Sequence, residues 1–233
     1  MIYEEEKRDR VMMIRAVICD LDGTLLDTLE DLADSVNAVL AEQGFPVHPT
    51  EAYRYFVGDG AAVLIGRVLP EGHRDGIIQN VCLRRFREEY ALRWKNKTLP
   101  YDGIVPMLAT MQKLGMKLAV LSNKPHDATE LCVRELLPGI RFDAVVGQTD
   151  GRPKKPDPAG ALAIAQQLGV LPQEVLYLGD TSTDMKTAVA AGMYPVGVLW
   201  GFRTADELKA HGAKTLIARP DEVVTLLKRR ELA

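Results

Sequence analysis

The sequence predicts a doubly wound α/β fold, a parallel sheet with helices on both faces, carrying a helical insertion after its first strand. Three features of the chain lead to this expectation. Short apolar runs bounded by Gly, Pro, Asp or Ser recur along it, as strands buried on both faces do. Segments of helical period separate the runs, and such alternation builds a parallel sheet. The interval from Cys19 to Lys117 is too long for a single crossover and reads mostly as helix.

Taken in order, residues 1–13 open with the charged stretch Met1 to Arg10, which has no apolar core of a secretory signal. They are read as a solvated tail or an upstream start choice, and no function is assigned to them. Ala16 to Cys19 is the first strand. Thr28 is placed to cap a helix whose apolar residues Leu29, Leu32, Ala33, Val36 and Leu40 fall three or four apart, and Gly44 ends it. A second helix is expected over about Gly60 to Leu69. A third covers about Arg74 to Trp94, with Ile78, Cys82, Phe86 and Tyr90 four apart. Gly103 to Leu114 is the helix that returns the chain to the sheet. Further strands are expected at Lys117 to Leu121, Asp143 to Val146, Val175 to Leu178, Pro195 to Leu199 and Lys214 to Ile217. Helices at Ala159 to Leu168, Thr183 to Ala191 and Asp221 to Leu227 lie between or after them, the first two ended by Gly169 and Gly192. The predicted organisation is a core of residues 14–27 and 99–233 with an inserted helical domain at 28–98.

Composition excludes several classes. Apolar residues make up 47% and charged residues 26%, an ordinary globular balance. With 29 basic against 32 acidic residues the net charge is −3. That leaves no basic surplus for a phosphate backbone, so nucleic acid is not expected as a partner. No apolar run approaches the roughly 18–20 residues that span a bilayer, so no membrane role is expected. Cys19, Cys82 and Cys132 form neither a disulfide framework nor a zinc spacing, and a cytoplasmic location is expected. Cys19 is read as core, and the four histidines are scattered, with only His126 near the strand ends.

Ligands of open parallel sheets bind at the carboxyl ends of the strands. The first predicted strand is followed by Asp20-Leu21-Asp22-Gly23-Thr24. The next is followed by Ser122-Asn123-Lys124, and Lys154-Lys155-Pro156-Asp157-Pro158 comes after the third. Gly179-Asp180-Thr181-Ser182-Thr183-Asp184 ends the fourth. Grouping Asp20, Asp22, Asp180 and Asp184 is costly unless a cation joins them. Hard oxygen ligands suit Mg²⁺. A metal and Lys155 beside a hydroxyl and backbone N–H groups make a site for a phosphoryl group. A carboxylate there can attack phosphorus to give an aspartyl-phosphate. Asp22, two residues on, can protonate the leaving alcohol and deprotonate the attacking water. Gly23 gives the tight turn, and Thr24 is expected to hold Asp22.

These motifs carry a resemblance. Asp20-x-Asp22-Gly23-Thr24 resembles the first signature of the haloacid dehalogenase superfamily. Ser122, Lys155 with Pro156-x-Pro158, and Gly179-Asp180-x-x-x-Asp184 match the other three in family order, from about Ile14 to the chain end. The resemblance implies a Rossmann-like core with a helical cap of the first type. It implies Asp20 as nucleophile and Mg²⁺ ligand, and Asp22 as acid/base that also binds Mg²⁺ through its backbone carbonyl. Asp180 is the third protein ligand, and Asp184 lies beside the metal. Ser122 and Asn123 hold the phosphoryl group, and Lys155 steadies its charge. The Pro frame selects Lys155 over Lys154, which is read as solvated.

Within the superfamily the chain is similar to the phosphoglycolate phosphatases, through Phe56 to Leu64, Ser122-Asn123-Lys124-Pro125 and Trp200-Gly201-Phe202-Arg203. That likeness implies Gly58 and Gly60 as a loop closing on substrate, and Arg67 is a candidate partner for a substrate carboxylate. The expected enzyme is a Mg²⁺-dependent hydrolase of a small phosphorylated metabolite, phosphoglycolate first, acting as monomer or homodimer. Alternatives are a pyrophosphate, nucleotide or sugar-phosphate phosphatase, and a phosphosugar mutase. Outside enzymes, a phospho-acceptor module or a partner-binding relative competes, although the Gly-Asp-x-x-x-Asp motif is foreign to receiver domains.

Overall fold

The structure, a computed structural model, describes residues 13–74 and 76–228; of the predicted tail, only Met13 falls within them. Six parallel strands form one sheet. They are β1 (Ala16–Cys19), β4 (Lys117–Pro125), β5 (Ala144–Gln148), β6 (Val175–Gly179), β7 (Tyr194–Val198) and β8 (Thr215–Ile217), in the order β5-β4-β1-β6-β7-β8. β1 pairs with β4 on one side and β6 on the other, Ile18 facing Ala119 and Tyr177. The chain runs outward from β1 in one direction, then crosses back and runs outward in the other. The switch point of the sheet therefore lies at the end of β1, where a crevice opens.

Side chains alternate across the sheet with period two. Val17, Cys19, Leu118, Val120, Leu176 and Leu178 face one way, against Leu108 and Met111 of α5 (Ile104–Lys113). Ala16, Ile18, Ala119, Leu121 and Tyr177 face the other, against Ile164 and Leu168 of α7 (Ala159–Leu168) and Ala188 of α8 (Ser182–Ala190). Cys19 sits in the first layer, and burial pushes its thiol well above the usual range. α6 (His126–Leu136) and α10 (Asp221–Lys228) join the first of these layers through Cys132, Val133 and Val223, and α9 (Ala205–Ala210) packs against β7 and α8. Neither α6 nor α9 was named from the sequence, although Ala128, Cys132 and Leu136 of α6 fall four apart.

The interval after β1 holds α1 (Leu29–Glu42), α2 (Tyr53–Phe56), α3 (Ala61–Val68) and α4 (Gly76–Arg93). They share an apolar core that includes Leu32, Val36, Tyr53, Leu64, Ile65, Cys82 and Phe86. A short antiparallel pair, β2 (Leu26–Asp27) and β3 (Leu99–Pro100), joins the two chain crossings between the insertion and the sheet. Asp31 ties the same junction. Its carboxylate accepts hydrogen bonds from the Lys97 and Thr98 N–H groups and the Thr98 hydroxyl at 2.8–3.2 Å.

One expectation fails here. Thr28 does not cap α1, because its φ of −106° and ψ of 2° are not the extended backbone an N-cap needs. Its hydroxyl is buried without a hydrogen-bond partner among the described residues. Asp27 Oδ1 accepts from the Leu29 N–H at 3.3 Å instead. Among the described residues no helix is long and apolar enough to cross a membrane.

Candidate active site

Each strand that borders the switch point delivers polar groups to it. Asp20 follows β1, and its Oδ1 accepts from the Leu21 N–H at 2.7 Å and from Lys155 Nζ at 2.9 Å. Its Oδ2 accepts no hydrogen bond from the described residues. Gly23 closes the turn at φ +84°, where a Cβ would meet Asp180 Oδ2 at 2.3 Å, so no side chain fits.

Asp180 directly follows β6 and is fully buried. Its Oδ1 accepts from the Thr24 hydroxyl at 2.8 Å and its Oδ2 from the Phe202 N–H at 2.9 Å. Thr24 therefore holds Asp180 rather than Asp22, correcting the sequence expectation. The turn directs its hydroxyl across to β6. Asp184 sits in the first turn of α8, where Thr181 and Asp184 cap the helix reciprocally. Its Oδ2 accepts from the Thr181 hydroxyl at 2.6 Å, and its Oδ1 from Lys155 Nζ at 2.7 Å.

Asp20, Asp180 and Asp184 thus bring carboxylate oxygens within 4.8 Å of one another, all buried. Lys155 is the ammonium among them. Burial alone would lower its pKa, but Asp184 and then Asp20 hold it well above the usual lysine range. Burial, and after it the Asp184 charge, push Asp20 up, with Lys155 opposing. Burial and Asp184 also push Asp180 up to about 7. Three buried carboxylates against one ammonium form a donor set that fits a hard divalent cation. Each Asp180 oxygen accepts one hydrogen bond and Asp184 accepts three, the Lys155 ammonium among them, whereas Asp20 Oδ2 accepts none from the described residues.

β4 runs four residues beyond the apolar stretch that announces it, and Ser122, Asn123 and Lys124 are buried within it. Each finds partners. Ser122 Oγ accepts from the Lys124 N–H at 3.3 Å. Asn123 accepts from the Lys155 N–H at 2.9 Å and donates to the Lys155 and Gly58 carbonyls at 3.1 Å. Lys124 Nζ donates to Asp22 Oδ1 at 3.0 Å and to the Tyr90 hydroxyl at 2.8 Å. Asp22 is thus turned toward Lys124, and it stands outside the cluster of three carboxylates.

A cavity of about 1010 Å³ lies between these strand ends and the insertion. Asp20, Asp22, Ser122 and Lys124 line it from the core, and Gly58, Gly60, Phe86 and Tyr90 from the insertion. The loop Gly58-Asp59-Gly60 is seated against the core. Asp59 Oδ1 accepts from the Thr183 hydroxyl at 2.7 Å, and Gly60 turns at φ +91° beside Lys154 and the Asn123 carbonyl. Lys154 lines the cavity as well. Arg203 donates to the Val57 carbonyl at 2.9 Å, and Arg54 to the Gly201 carbonyl at 2.9 Å.

Arg67 is not among the cavity's lining residues. Its guanidinium holds the Asp59 carboxylate and the Phe56 carbonyl, which makes it a brace of the loop. Lys124, Tyr90 and Asp59 were given no site role from the sequence. Lys124 follows Ser122 and Asn123 directly, so its place was legible, but its partners were not.

Fold and site together define a hydrolase of the doubly wound α/β class, with an acidic, lysine-braced centre suited to phosphoryl groups. Comparison with known proteins agrees. Residues 17–198 match the model of the haloacid dehalogenase-like hydrolases. The chain belongs to that family, and it is an enzyme of the phosphoric monoester hydrolase class. A phosphoglycolate phosphatase of Pseudomonas putida is 35% identical over 207 residues, 87% of this chain and 76% of that protein. One from Xanthomonas campestris pv. campestris is 31% identical, over 83% of this chain and 86% of its own length. A crystal structure from Lactobacillus delbrueckii subsp. bulgaricus, provisionally named for the same activity, superposes with a TM-score of 0.88 at 31% identity. That match covers 93% of this chain and 99% of the other.

Proposed function

We propose that this enzyme hydrolyses a small phosphate monoester, phosphoglycolate first, in a Mg²⁺-dependent reaction that passes through an aspartyl-phosphate on Asp20. The observation that carries the reading is the state of Asp20. One carboxylate oxygen is held by Lys155 and the Leu21 N–H, the other accepts no hydrogen bond from the described residues, and Asp20 lines the cavity. A nucleophile needs that combination of fixed direction and a free lone pair.

Asp20, Asp180 and the backbone carbonyl of Asp22 would hold Mg²⁺, which when bound offsets the carboxylate charge and that of the incoming phosphoryl group. The remaining work belongs to the chain. Asp20 Oδ2 attacks phosphorus, the bond from phosphorus to the ester oxygen breaks, and the leaving oxygen takes the proton carried by Asp22. Asp22 then takes a proton from water as that water attacks phosphorus. The bond to Asp20 breaks and inorganic phosphate leaves. Ser122 Oγ and Lys155 Nζ stabilise the transferring group. The Asn123 amide is already taken by Lys155 and Gly58, so its contact falls to the backbone N–H. Residues 28–98 act as a cap, opening at the β2–β3 junction to exchange ligands and excluding water when seated.

The names of the relatives in Pseudomonas putida and Xanthomonas campestris support phosphoglycolate as substrate. Three free, buried cysteines support a cytoplasmic setting. The test is a panel of small phosphate esters with Mg²⁺, including phosphoglycolate, pyrophosphate, nucleotides and hexose phosphates. The reading expects the highest kcat/KM for phosphoglycolate and release of free phosphate. Conversion of a hexose 1-phosphate to its isomer without phosphate release would overturn it.

A further inference from the structure

Asp22 is reached from the insertion by a chain of contacts that the hydrolysis scheme above does not use. Phe86 is buried in the apolar core of the insertion, and Tyr90, one helical turn on, stacks against it with ring centroids 5.6 Å apart. The Tyr90 hydroxyl accepts a hydrogen bond from Lys124 Nζ at 2.8 Å, and the same ammonium lies 4.6 Å from the centre of the Tyr90 ring. Lys124 Nζ is 3.0 Å from Asp22 Oδ1 and 3.3 Å from Oδ2. The Lys124 side chain is 5% exposed and that of Asp22 15%, so water competes little for either. A buried ammonium with three donors satisfies them only in a fixed geometry. Here one partner is a core carboxylate and the other sits on the insertion.

We propose that Tyr90 and Lys124 are positioning residues for Asp22: the insertion, through Tyr90, fixes the Lys124 ammonium, and Lys124 aims the Asp22 carboxyl at the leaving oxygen. The inference rests on the reading of Asp22 as acid/base. Asp22 sits on a turn in the core, so without this support its side chain has rotamer freedom. Seating the insertion removes that freedom at the moment when the ester oxygen has to be protonated. Acid catalysis is thereby assembled only when the cap is closed, and an open site would not protonate the ester it is about to release.

The experiment compares kcat/KM for ethyl phosphate, phosphoglycolate and p-nitrophenyl phosphate in wild type, Tyr90→Phe, Lys124→Met and Asp22→Asn. This ratio covers the steps up to loss of the alcohol. p-Nitrophenol leaves with little need of a proton, whereas ethanol and glycolate need one. General acid catalysis contributes about 10²–10⁴-fold. Asp22→Asn should lower the ratio of ethyl to p-nitrophenyl phosphate by that order. Lys124→Met is expected to lower it by about tenfold or more and Tyr90→Phe by about threefold, both being partial losses of the same effect. Phosphoglycolate should follow ethyl phosphate. Both rates are read on one sample, so a partly unfolded preparation cancels in the ratio.

Equal losses on all three substrates would mean that Lys124 and Tyr90 only support the fold, and would overturn the proposal. A loss confined to phosphoglycolate would make Lys124 a partner of the substrate carboxylate, again overturning it. If Asp22→Asn lowers the ratio and the other two variants do not, the positioning role fails while the acid/base reading stands. An unchanged ratio in Asp22→Asn would bring down both.

Discussion

Replacing Asp180 with Asn should make the metal-free protein more stable at neutral and alkaline pH, although it removes a proposed metal ligand. Asp180 is fully buried, and burial, with the Asp184 charge next, raises its pKa from the ordinary 3.8 to about 7. At 1.36 kcal/mol per pH unit this corresponds to about 4 kcal/mol of folding free energy withheld at pH 8. The sign follows from proton counts. Between 3.8 and about 7 the folded protein keeps a proton that the unfolded chain has lost, so stability falls as pH rises through this window. Above it the full penalty remains.

Asn has no proton to lose and keeps both hydrogen bonds. Its carbonyl accepts from the Phe202 N–H, and its amide donates to the Thr24 hydroxyl, which can act as acceptor. At roughly 2–4 °C per kcal/mol for a chain of this size, Tm should rise by about 10 °C at pH 8 in chelator. At pH 5 the advantage should shrink to less than about 2 kcal/mol. Scanning calorimetry of both proteins with EDTA at the two pH values checks this. Mg²⁺ should then raise the Tm of wild type and leave the variant nearly unmoved. An equal or lower Tm for Asp180→Asn at pH 8, or an advantage that does not grow with pH, would refute the charge argument.

Further outcomes can be measured on the same protein. Asp20→Asn should abolish turnover, since the amide oxygen is a poor nucleophile, while circular dichroism and cooperative unfolding persist; retained activity with Mg²⁺ would exclude Asp20 as the attacking group. Gly60→Ala places a side chain at φ +91°, 3.3 Å from Lys154 Nζ and 3.4 Å from the Asn123 carbonyl. A cost of about 1–2 kcal/mol in the seated form should appear as a rise in KM, and wild-type KM would argue against the loop closing on substrate. Arg67→Ala loosens Asp59 and should raise KM equally for phosphoglycolate and ethyl phosphate. A selective loss on phosphoglycolate would instead restore Arg67 as a carboxylate partner. Chelation should abolish activity, and Ca²⁺ should not restore it because its coordination is larger and looser.

The sheet was legible because its strands are covered on both faces and so read as continuous apolar runs, as in Val175 to Leu178 and Ala16 to Cys19. The site was legible for a related reason: polar residues directly after such runs can only sit at the strand ends. Prediction failed where direction rather than position decides. Ser122 to Lys124 continue β4 because tertiary partners satisfy them, and no local pattern signals that. Tyr90 reads as one more apolar position on its helix, yet its hydroxyl reaches Lys124. Thr24 was placed on the right turn and Arg67 on the right helix, but they face Asp180 and Asp59, because side-chain partners from other segments are invisible to sequence spacing. The β2–β3 pair is too short to carry a period at all.

The central claim is the covalent step on Asp20, and it can be caught directly. Asp22→Asn enzyme mixed with Mg²⁺ and p-nitrophenyl phosphate lets the first step run, while the second lacks its base. Acid quenching followed by peptide mass spectrometry should then find one phosphoryl group per chain on the peptide holding Asp20, convertible to homoserine by borohydride and missing when Asp20→Asn is added. A full burst of p-nitrophenol with no phosphorylated peptide, or with the group on any other residue, would contradict the account.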